Sequence, residues 1–183
     1  MKRLVTAALL VGGFLIVPSQ AQASMIGFTA NCSITPTPLW VCSPTTAPVG
    51  AGVEFDLIVQ GTDDFFDVDL GASTILLTQD STGGLSMGAG ELLVLSNLFG
   101  PGEQIIGAGL VVTGPSGFTL GDISFTAHSV SIDLNNTTWS SGNSALITLE
   151  TALVSSEVPE PATLSLLGLG LAGAAVVRYR RRR

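Results

Sequence analysis

Between Arg3 and Arg178 this chain contains neither lysine nor arginine, a basic-free stretch of 174 residues in a sequence of 183. That absence excludes most nucleic-acid partners, because phosphate binding needs a basic footprint. It equally disfavours adsorption to anionic membrane surfaces. Within the stretch no Lys–Glu or Arg–Asp ion pair can form, so its carboxylates must be hydrated, bonded to N–H or O–H groups, or matched by metal cations. Histidine is nearly missing too. With His128 alone, and only two cysteines, one chain cannot assemble a zinc site or a histidine-based acid–base pair. Helical patterning is also lacking in the middle, where no window keeps apolar residues at i, i+3, i+4 and i+7 between helix caps.

All seven basic residues therefore sit at the ends, Lys2 and Arg3 at one and Arg178, Arg180, Arg181, Arg182 and Arg183 at the other, each group beside an apolar run. This is the charge pattern of a chain whose ends stay cytoplasmic while its middle is exported. Met1-Lys2-Arg3, the apolar run Leu4 to Val17, Pro18 and the small residues of Ala21-Gln22-Ala23 together describe a secretory signal peptide over 1–23. Fourteen apolar residues are too short to span a bilayer core of roughly 30 Å, so cleavage before Ser24 by signal peptidase after Sec-type export is expected.

At the other end Val158-Pro159-Glu160-Pro161 leads into an apolar, glycine- and alanine-rich segment from Ala162 to Val177, followed by the arginine cluster of 178–183. The prolines hold the entry extended. The segment reads as a transmembrane helix just under the usual spanning range, with the arginines stopping transfer. This arrangement over 158–183 resembles the PEP-CTERM sorting signal of Gram-negative bacteria. The resemblance implies recognition by exosortase, a membrane protease-transpeptidase, with processing at or near Pro159-Glu160-Pro161, and an association with exopolysaccharide and biofilm matrix. The logic parallels a GPI signal, in which a hydrophobic tail holds the substrate until an enzyme removes it.

The exported part, 24–157, is one domain's worth of chain. Of the fourteen acidic residues only Glu160 lies outside it, so it carries thirteen and a formal charge of −13. Cys32 and Cys42 in an oxidising compartment read as a disulfide that adds roughly 2.5–3 kcal/mol on the chain-entropy model. The pattern predicts an all-β domain, an antiparallel β-sandwich or jelly-roll. Val53 to Gln60 reads as a strand with Val53, Phe55, Leu57 and Val59 inward and Glu54, Asp56 and Gln60 outward. Phe66, Val68 and Leu70 alternate with Asp67 and Asp69. Further strands are expected in 73–78, 91–98, 104–113, 123–134 and 145–149, with a bulge or bend at His128-Ser129 where the inward parity changes.

Three constellations in this domain invite chemistry. Gly84-Leu85-Ser86-Met87-Gly88 matches G-x-S-x-G, and Asp122 and His128 follow in hydrolase order. The motif works only where a strand turns sharply into a helix, and no helical pattern follows here, so the expectation is a non-enzyme. Asp63, Asp64, Asp67 and Asp69 form the densest acidic cluster and are candidate calcium ligands, against the plainer reading of a solvated acidic edge. Trp40 and Trp139 are candidate glycan-stacking platforms, against packing in the core. The reading these features support is an exported, non-enzymatic structural component of the cell surface or exopolysaccharide matrix. A carbohydrate-binding or calcium-dependent adhesive module is the alternative.

Overall fold

The computed structural model describes residues 24–35, 40–59 and 64–154, nearly all of them in strands, turns and bends. The expected signal peptide, the sorting tail and Asp63 lie outside the described residues. In chain order the strands are β1 Thr29–Thr35, β2 Trp40–Ser43, β3 Thr46–Pro48, β4 Val53–Val59, β5 Asp64–Leu70, β6 Thr74–Gln79 and β7 Leu85–Ser86. They continue with β8 Leu92–Ser96, β9 Glu103–Thr113, β10 Ile123–Phe125, β11 Ser129–Asp133, β12 Thr138–Trp139 and β13 Ser144–Leu153. The one helical turn among the described residues is a 3-10 turn at Leu120–Asp122.

Two antiparallel sheets carry the domain, one of five strands in the order β10-β11-β8-β1-β3 and one of six in the order β2-β4-β5-β6-β13-β9. A two-residue ribbon, β7 with β12, stands apart from them. The expected all-β, antiparallel sandwich is what the chain forms. Its cause is visible strand by strand. Ala30, Cys32 and Ile34 of β1, Phe66, Val68 and Leu70 of β5, and Ala145, Ile147 and Leu149 of β13 recur at every second position and are all buried. A pleated strand points such residues to one face, and the two inner faces meet as a single apolar core.

Cys32 and Cys42 are bonded, with an S–S distance of 2.01 Å. Because β1 belongs to one sheet and β2 to the other, the disulfide ties the two layers together across the core. Beside it Trp40 packs edge-on to Phe65, with ring centroids 5.7 Å apart. At the other end of Phe66, Trp139 meets its ring at 88° and 4.9 Å.

Two local expectations are settled by the strand pairing. Of the bulge or bend expected at His128-Ser129 the chain forms a bend, at Ala127 and His128, within a hairpin between β10 and β11 in which Phe125 pairs with Val130 and the Thr126 N–H donates to the Ser129 carbonyl. Asp122 and His128 thus sit in separate turns, not along one strand face. On β4 the expected alternation breaks at its start, where Val53 is half exposed and Glu54 is buried. Val53 pairs with Asp69 and Phe55 with Val68, so Glu54 is an extra residue between them. That bulge turns the Glu54 carboxylate inward, where it accepts the Gly50 N–H at 2.8 Å and the Leu70 N–H at 2.6 Å.

Candidate functional site

The register of the six-stranded sheet aligns one cross-strand row of polar residues on its outer face: Ser43, Asp56, Asp67, Thr78, Ser144 and Thr113, one from each strand. Asp56 and Asp67 are direct partners within it. Like charges opposite one another destabilise a sheet, so this pairing calls for a compensating influence.

A second bulge adds a third carboxylate. Leu57 pairs with Phe66 and Ile58 with Asp64, leaving Phe65 as the extra residue of β5. Without the bulge, Asp64 and Asp67, three apart, would point to opposite faces. With it, Phe65 and Phe66 both reach the Trp40 ring, while carboxylate oxygens of Asp56, Asp64 and Asp67 lie within 4.8 Å of one another. Asp64 also lines a cleft of about 480 Å³ with Phe65, Asp80, Ser81, Thr82 and Gly83.

The electrostatics follow from this crowding. Partial burial, together with the charges of Asp56, Asp67 and Asp80, raises Asp64 from its ordinary value to about 6, against the opposing pull of the Phe65 N–H. Asp67 is also raised, chiefly by burial and then by Asp80 and Asp56. One Asp64 oxygen, Oδ1, is shut off from solvent and takes no hydrogen bond. Oxygens bound to a single Ca²⁺ at about 2.4 Å cannot be more than about 4.8 Å apart. The spacing of the three carboxylates fits that limit, and the remaining ligands of a six- to eight-coordinate ion would come from second carboxylate oxygens and water.

Of the four aspartates singled out in the sequence, Asp64 and Asp67 are brought together. Asp69 is set opposite Val53, outside the group, and Asp63 lies outside the described residues. The third member of the group, Asp56, and the flanking Asp80 were missed. Pairing β4 with β5 as a hairpin, with Asp56 set opposite Asp67, is the signal that finds the first of them.

The other candidates fare differently. Trp40 and Trp139 are 3 % and 0 % exposed, which overturns their reading as sugar platforms, since stacking needs an open ring face. Trp139 also spends its Nε1–H on Thr137 Oγ1 at 2.9 Å, and that hydroxyl donates to the Leu134 carbonyl. Ser86 ends the two-residue β7 with no helix after it, and no hydrogen bond joins it to Asp122 or His128. The Asp122 carboxylate instead accepts the Thr119 N–H and hydroxyl at 2.7 and 2.9 Å.

The last described element hands the chain to its carboxy-terminal segment. β13 ends at Leu153, and the Val154 N–H bonds to the Gly102 carbonyl at the foot of β9. The family model described as the PEP-CTERM protein-sorting motif matches residues 157–182. The chain carries a PEP-CTERM sorting motif. That motif is the mark of an exported, membrane-anchored precursor that exosortase processes and sorts to the cell surface. The matched segment begins three residues after Val154, the last described residue. Sorting residues Val158 to Pro161, the helix expected at 162–177 and the arginines all lie outside the described residues; among those described, no helix is long and apolar enough to cross a membrane. No curated protein and no solved structure matches the chain.

Proposed function

We propose that this PEP-CTERM protein is a non-enzymatic structural component of the cell surface or exopolysaccharide matrix. Export by the Sec machinery, with removal of 1–23, delivers the β-sandwich outside. The segment from Ala162 to Val177 then holds it at the inner membrane until exosortase cuts near Pro159-Glu160-Pro161. The observation that carries this reading is the sorting motif placed directly after the last strand of a disulfide-tied sandwich. Support for a structural rather than catalytic cargo comes from the serine motif, which lacks the strand-turn-helix frame its chemistry requires.

The intact mass of the protein recovered from native cells and from their extracellular matrix tests the proposal. The expected species begins at Ser24, ends near Pro159 to Pro161 and is two hydrogens light; added mass would identify a glycan or lipid joined at sorting. A species that keeps Arg178 to Arg183 and stays with the membrane would refute matrix delivery.

A second reading, a calcium-dependent adhesive module, is favoured by the Asp56–Asp64–Asp67 group, in a domain with no lysine or arginine to neutralise it. Calcium would be held by those three carboxylates and would remove their mutual repulsion. Its signature is a melting temperature that rises with millimolar calcium but not with equivalent sodium chloride. An Asp64→Asn variant whose melting temperature rises equally would show that the ion binds elsewhere.

A further inference from the structure

Four strand edges bound the two large sheets. Three are blunted in the usual ways: β10 and β3 are three residues long, β3 ends in Pro48, and β2 has four residues. The fourth edge, β9, runs for eleven residues, and its other side pairs with β13 on both sides of a bulge at Ile106. The Ile105 N–H on its free side reaches the Ala127 carbonyl at 2.9 Å. Beyond that point, Ile106 to Thr113 make no hydrogen bond to any described residue outside the β13 ladder. This length of edge carries no charge and no proline, and Val111 on it is 62 % exposed.

We propose that the β9 edge is a self-association surface on which a second copy of this chain pairs antiparallel across a two-fold axis, fusing two six-stranded sheets into one of twelve. Charge selects the occupant. The exported segment holds thirteen carboxylates and no lysine or arginine, yet no charged residue stands between Glu103 and Asp122. A basic partner would be drawn to the aspartates of β4 and β5, at the other side of the sheet. Two copies of so acidic a domain meet most cheaply where neither is charged, and the uncharged length is the free edge.

The sequence of the edge is also self-complementary. Centred on Val111, an antiparallel pairing sets Val111 against the partner's Val111, Leu110 against the partner's Val112, and Gly109 against the partner's Thr113. Apolar residues then meet apolar ones on both faces, and the inner-face residues Leu110 and Val112 continue the core side of the sheet. Self-pairing of the domain does not depend on where the protein is finally deposited.

Sedimentation equilibrium of the full chain in detergent decides the matter, with Val111→Glu as the variant. Val111 is mostly solvent-exposed, so the substitution is tolerated by the fold, but it places two carboxylates opposite each other across the axis. The expected result is a dimer whose dissociation constant rises at least about tenfold in the variant, with the melting temperature changed little. Dimerisation should also strengthen from low to physiological salt, because screening weakens repulsion between the two acidic domains. A Val111→Cys variant should oxidise to a covalent dimer, since opposed residues bring their Cβ atoms to about 4.5–5.5 Å, whereas Val53→Cys, on β4, should not. A monomer at all concentrations overturns the proposal. So does a dimer that ignores Val111→Glu and leaves Val111→Cys unlinked, which would place association elsewhere on the chain.

Discussion

Replacing Asp64 by asparagine should stabilise this domain at neutral pH and leave it unchanged in acid. The native fold raises the Asp64 carboxyl from 3.8 to about 6, which means that the folded protein binds this proton more tightly than the unfolded chain does. The group's contribution is therefore fully present below about pH 4 and is lost as pH rises through about 6. Taken at face value a shift of that size corresponds to about 3 kcal/mol. The carboxylates lie on an outer sheet face that is partly solvated, so screening reduces the usable figure to about 1 kcal/mol. Asparagine keeps the shape of the protonated acid and never ionises. Paired thermal melts followed by circular dichroism at pH 4, 5, 6 and 7.5, without calcium, should show no difference at the lowest pH. At the highest, Asp64→Asn should melt about 3–4 °C above the parent. High salt should shrink that gap, and bound calcium should close it, because a cation relieves in the parent what the substitution relieves in the variant. A variant that is less stable at pH 7.5, or a gap that does not vary with pH, would refute the account of Asp64 as the repelled member of the cluster.

Three other expectations follow from the geometry. Replacing Cys32 and Cys42 together by alanine releases a bridge closing ten residues of sequence separation, and should cost about 2.7 kcal/mol by urea unfolding; reductant should lower the parent to the same level and leave the variant unmoved. Glu54→Ala strands the Gly50 and Leu70 N–H groups beneath the β4 bulge and should cost about 3 kcal/mol. A cost under about 0.5 kcal/mol there would mean that water replaces the carboxylate. Substituting alanine for Pro159, Glu160 and Pro161 together should block removal of the tail, leaving a membrane-bound form of precursor-like mass in exosortase-bearing cells; unchanged processing would move recognition to another part of the segment.

The layered all-β fold was legible because inward positions recur at every second residue in β5, β8, β11 and β13, and nothing local opposes that pattern; β1 keeps the same alternation but was not singled out. Reading failed where the pairing register shifts. A strand's period of two is reset by each bulge, and a bulge is a property of two paired strands, not of one. At Glu54 the reset buries an acid that alternation places outside. At Phe65 it gathers Asp56, Asp64 and Asp67, when the linear spacing suggested Asp63, Asp64, Asp67 and Asp69. The two tryptophans are a different lesson: each has the chemistry of a platform, but whether a ring face is open depends on the opposite sheet. The sorting motif needed no fold at all, since charge, small residues and prolines in a fixed order carry it along the chain.

A domain built without lysine or arginine must settle its carboxylates by other means, and its acids fare unequally. Glu54 is met by two backbone N–H groups, Asp122 by the N–H and hydroxyl of Thr119, and Asp133 by the Asn135 N–H at 2.9 Å. Those acids fasten loops and strand ends, doing with backbone donors what a lysine or arginine does elsewhere. Asp64 is different in kind. A single neighbouring N–H works against three nearby charges and partial burial, and a capped loop offers nothing like that concentration of like charge. A purely structural role would be served as well by serine or threonine at Asp56, Asp64 and Asp67, as the same row of the sheet uses at Ser43, Thr78, Ser144 and Thr113. Gathering Asp64 beside the two aspartates of that row costs stability at neutral pH that a bound divalent cation would return. The three aspartates and the uncharged β9 edge thus lie at different places on one sheet. A cation bridging at the first and strand pairing at the second would compete for no residue, so the Asp64→Asn and Val111→Glu variants should act independently when combined.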